Sequence, residues 1–81
     1  MSLERAAMKG ELAEMKLQAE SLRNLIKGTS EGIRVKLNTT RILPDDLDIP
    51  VIDAQMDQLK TSWAELISLK SHIAEYERAL A

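Results

Sequence analysis

Three groups of residues in this 81-residue chain could do chemistry, and each has a plainer use. His72 is the only imidazole. A general base needs a polarised partner and a cleft that holds substrate. In Ser71-His72-Ile73 the ring stands at the flank of an apolar helical stripe, where a solvated role suffices. With no cysteine, a serine nucleophile would depend on that one ring, and no nucleophile-elbow sequence is present. A zinc site would have to join His72 to carboxylates alone, against zinc's preference for nitrogen and sulfur.

Asp45, Asp46 and Asp48 could face a hard cation. A calcium loop needs a central glycine and a closing bidentate glutamate, and neither stands at the right offset. Capping the following helix and meeting the positive end of its dipole is the simpler employment. Arg34, Lys36 and Arg41 form a basic connector that could grip phosphates. They lack interleaved aromatic residues, and the pI near 5.3 opposes a nucleic-acid footprint. The sequence therefore assigns no catalytic, cofactor-binding or metal-binding residue, and implies no enzyme and no cofactor. Nucleic-acid contact through Arg34, Lys36 and Arg41 stands as the alternative to a structural role.

The elements that would position these residues are helices. One tryptophan, one tyrosine and no phenylalanine leave a core of Leu, Ile, Met and Ala, residues that suit helix–helix packing. Hydrophobic residues make up 44% and charged residues 30%, the balance of a folded chain and not of a disordered or membrane-embedded one. The lack of cysteine and of an apolar leader core points to the cytoplasm. The net charge of −2 selects no partner.

Residues 3–27 read as the first helix, with Ser2 available to cap it. Met8, Leu12, Met15, Ala19, Leu22 and Ile26 alternate spacings of four and three, the rhythm of a coiled-coil seam. Leu25 widens that stripe. Gly28 after Lys27 suits a left-handed helix end. Residues 28–49 read as a connector. Ile33-Arg34-Val35-Lys36-Leu37 alternates apolar and basic with period two, which predicts a short strand, with Arg41-Ile42-Leu43 returning beside it. A helical turn over Ile33 and Leu37 fits the same residues.

Residues 50–80 read as the second helix, entered through Pro50. Here Ile52, Met56, Leu59, Trp63 and Leu66 give the same rhythm. The apolar path then slips one position to Leu69, Ile73, Tyr76 and Leu80, which suits a nearly straight helix. Ile67 widens the stripe beside Leu66. The fold class is mainly all-α, an antiparallel two-helix hairpin with a short β or irregular connector, in one domain. The order helix–β–helix is similar in outline to prefoldin subunits, and that likeness implies assembly through a β-hairpin platform. In style the chain also resembles many small prophage-encoded proteins.

A lone hairpin buries one stripe per helix, so the extra apolar residues call for another chain. The expected function is a non-catalytic oligomerisation or protein-interaction module, a coiled-coil pair closing into a four-helix bundle, with a dimer favoured. The interface residues are read as Met8, Leu12, Met15, Leu22, Leu25, Ile26, Ile52, Met56, Leu59, Trp63, Leu66, Ile67 and Ile73. No membrane contact is expected, since no run approaches the roughly 18 apolar residues of a span.

Overall fold

Capping sets where each helix begins. In a computed structural model that describes residues 2–81, the Ser2 hydroxyl accepts a hydrogen bond from the Arg5 amide at 3.1 Å. From there α1 runs over Leu3–Lys36, 34 residues without a break. Asp48 plays the same part for α2, Ile49–Leu80, its carboxylate accepting from the Val51 amide at 3.3 Å. Pro50 sits in the first turn of α2, where its missing N–H costs nothing. Between the helices lies an irregular connector containing α1's last cap at Leu37 and one 3₁₀ turn, Pro44–Asp46. The Asn38 side chain turns the chain there by accepting from the Thr40 amide at 3.1 Å.

The two helices pack antiparallel. Arg5 reaches Leu80, Glu11 reaches Tyr76, and Gly32 lies beside Gln55. The result is a rod of 64 × 16 × 15 Å. Its radius of gyration is 18.4 Å, against about 12 Å for a compact domain of this length. The helical-hairpin expectation holds. The strands do not: among the described residues there is none, and the β platform implied by the prefoldin likeness is missing with them.

α1 continues nine residues past its predicted end, because its seam does. After Ile26 the same rhythm lands on Thr29 and Ile33, and Ile33 is buried between the helices. Packing against α2 outweighs both the β preference of Ile33 and Val35 and the cost of Gly28 and Gly32. Gly28 takes no left-handed conformation and caps nothing.

The seam of α2 also differs from its predicted path. The side chains turned toward α1 are Ile52, Gln55, Leu59, Ser62, Leu66, Leu69, Ile73, Tyr76 and Leu80. They alternate three and four from end to end, so no slip is needed. Met56 and Trp63 stand one position outside it and are exposed.

Candidate functional site

The polar candidates separate in space. His72 lies on the exposed surface of α2, with Nδ1 3.7 Å from Glu75. It shares a shallow groove with Glu65 and Ser68, but among the described residues no hydrogen bond joins Ser68 to the ring. Asp48 is committed to capping α2. Among the described residues no three acidic or histidine side chains converge as a metal site would require.

The basic candidates do gather at the connector end. Arg34 is taken up locally by Glu31, its Nε donating at 3.0 Å and its Nη2 donating to the second carboxylate oxygen. That hydrogen bond holds the Glu31 carboxyl below its usual range and raises the guanidinium further still. Lys36 is half-buried and Arg41 is exposed, close in the chain to Asp45 and Asp46. Of the three cations, one is already paired, and acids share the same end.

The apolar candidates divide into two sets. Met8, Leu12, Met15, Leu22, Ile26, Ile52, Leu59, Leu66 and Ile73 line the α1–α2 seam. Leu25, Met56, Trp63 and Ile67 face outward. Trp63 is 58% exposed, Ile49 54%, Ile67 45% and Met56 41%. These four lie on one flank of α2, at Ile49, Met56 and Trp63 by sevens and then Ile67. They make a stripe of large side chains that the hairpin itself leaves wet.

The inner seam is correspondingly poor. Its buried apolar side chains are Ala19, Leu22, Ile33 and Ile52, and Ser62 is sealed in with them. Gln55 also points inward, and among the described residues its buried Oε1 has no hydrogen-bond partner. Gly32 lies beside it: a Cβ there would sit 3.8 Å from the Gln55 amide nitrogen, an ordinary contact. The sequence reading passed over Gln55 and Ser62 because they are polar. Counting back from Leu80 in unbroken steps of four and three finds both.

No helix among the described residues is long and apolar enough to cross a membrane. Comparisons with protein-family models, with curated proteins and with solved structures found no match.

Proposed function

We propose that the chain is a non-catalytic helical module that works by self-association in the cytoplasm, and that a dimer of hairpins is its working form. One observation carries the reading. The hairpin exposes 6189 Å², whereas a compact monomer of its 9.1 kDa mass is expected to expose about 4,900 Å². The difference, roughly 1,300 Å² per chain, exceeds the ~800 Å² that each partner contributes to an ordinary specific interface.

The side chains on that surface support the same reading. Trp63, Met56 and Ile67 are the kinds of residue that anchor interfaces, while the intrachain seam spends positions on Gln55, Ser62 and Thr29. A small domain without disulfides or metal gains its missing burial most simply from a second chain. Light scattering at micromolar concentration is the test. A mass near twice 9.1 kDa is expected; a stable monomer would overturn the reading.

A further inference from the structure

α2 carries a second stripe with the rhythm of a seam. From Ile49 to Ala74 its positions are spaced 4, 3, 4, 3, 4, 3 and 4, and every residue on it is exposed. At 3.6 residues per turn this stripe lies roughly 100° round the helix from the inner one. That is the placement of a helix with two neighbours. Moreover, the spacing reads the same in both chain directions, so an antiparallel copy of α2 can match it position for position.

Matched that way, each rung joins compatible groups. Ile49 faces Ala74, Asp53 faces Lys70, Met56 faces Ile67, and Lys60 faces the Trp63 indole, with every rung made twice about a two-fold axis. Apolar groups meet apolar groups, an acid meets a base, and an ammonium lies over an aromatic ring. Sliding one copy by a heptad keeps the helix geometry but sets Lys60 against Lys70 twice. Sliding it the other way sets Asp53 against Trp63 and Met56 against Lys60, each twice, and either slide leaves two of the eight positions of each stripe unmatched. Asp53, Lys60 and Lys70 have no ion-pair partner among the described residues of their own chain. The matching flank of α1 carries Lys9, Lys16, Arg23 and Lys27 with Glu20. Lys16 is paired with Glu77 and Arg23 with Glu20, and the net positive charge that Lys9 and Lys27 leave there disfavours an α1–α1 contact, so the contact centres on α2.

We propose that two copies of this chain pair through the outer stripe of α2, antiparallel, with the two-fold axis between Lys60 and Trp63. The proposal rests on the self-association reading above and adds to it the face and the register.

The protein has no cysteine, so the double variant Met56→Cys, Ile67→Cys tests the register directly. Within one chain those positions are 11 residues apart on a helix, roughly 16 Å, far beyond the ~7 Å limit for a disulfide. Mild oxidation is expected to convert the protein to covalent dimer, while Gln58→Cys with Glu65→Cys, on the opposite flank, gives none. Charge exchange is the second arm and leaves the apolar rungs intact. Asp53→Lys alone and Lys70→Asp alone are each expected to weaken the dimer about tenfold, since each sets two like-charge rungs. Combining them is expected to restore affinity to within about threefold of the parent. A parent that is dimeric by light scattering, yet forms no 56–67 cross-link and shows no rescue, overturns the face and register and leaves self-association standing. A monomeric parent overturns both.

Discussion

From the connector through the middle of the rod Ile33, Ile52, Ser62, Leu22 and Ala19 are buried between the helices, whereas over the last turns towards the termini Met8, Leu12, Ile73 and Tyr76 stay half-open. The terminal end compensates with polar links. The Arg5 guanidinium donates to the Leu80 carbonyl at 2.6 Å, the Tyr76 hydroxyl donates to Glu11 at 2.6 Å, and Lys16 lies 3.3 Å from Glu77. All three are exposed, and exposed hydrogen bonds and ion pairs are worth little because water competes for both partners. One hairpin is thus closed by packing at one end and laced by hydrogen bonds at the other. The consequence is a gradient of local stability, with the terminal end opening first.

The largest expected effect comes from breaking the packed end. Ile33→Ala removes a buried side chain and leaves a gap the straight helices cannot easily close, at a cost of about 2–5 kcal/mol. Leu12→Ala, at the half-open end, is expected to cost about 1–2 kcal/mol because less of its surface is removed from water. Urea denaturation at one fixed protein concentration measures both. Equal losses would remove the distinction between the two ends.

A middle-sized effect of opposite sign is expected at Gln55. Its side-chain carbonyl is buried without a donor among the described residues, and such a group costs about 1–3 kcal/mol. Gln55→Leu removes that cost and extends the apolar seam from Ile52 to Leu59, so it is expected to stabilise the hairpin by a similar amount. The polar residue also disfavours sliding of α2 along α1, as single polar residues do in coiled-coil seams. The variant is therefore expected to melt higher but with a less cooperative transition. A variant less stable than the parent would mean that the Gln55 amide has a partner in solution.

The two ends also differ in how plainly the sequence declares them. The terminal half of the seam was legible residue by residue. Met8, Leu12, Met15, Ala19, Leu22 and Ile26 on α1, and Leu69, Ile73, Tyr76 and Leu80 on α2, all fall on the predicted stripe. The connector half was not, for two physical reasons. Gly28 and Gly32 resemble turn punctuation and Ile33–Leu37 alternates like a strand, yet long-range packing decides their conformation. On α2 the larger residues Met56 and Trp63 drew the predicted seam one position outward, because hydrophobicity alone cannot tell an inner stripe from an outer one. The slip inferred at Leu66 was the trace of that error. Two stripes share this helix, and each follows the seven-residue repeat.

The smallest expected effect lies at the terminal end and is read through pH. The hydrogen bond from the Tyr76 hydroxyl to Glu11 favours the protonated phenol, and the charges of Glu11 and Glu75 oppose a phenolate beside them. Both raise the Tyr76 pKa above its ordinary value. In the unfolded chain the phenol titrates near its usual value of about 10. Above that pH the unfolded chain has shed a proton that the hairpin still holds, so stability falls as pH rises. The contribution is complete below about pH 10 and is lost as pH climbs through the folded value. Tyr76→Phe has no proton to lose. It is expected to be slightly less stable than the parent at neutral pH, through the loss of one link, and to lie closer to the parent as pH rises above 10. Thermal melts of the two proteins by circular dichroism, taken in steps from neutral pH into the alkaline range, measure the gap. Lysine titration lowers both curves together, so the difference between them isolates Tyr76. Curves that stay parallel across that range would show that the Glu11–Tyr76 link does not hold the terminal end closed.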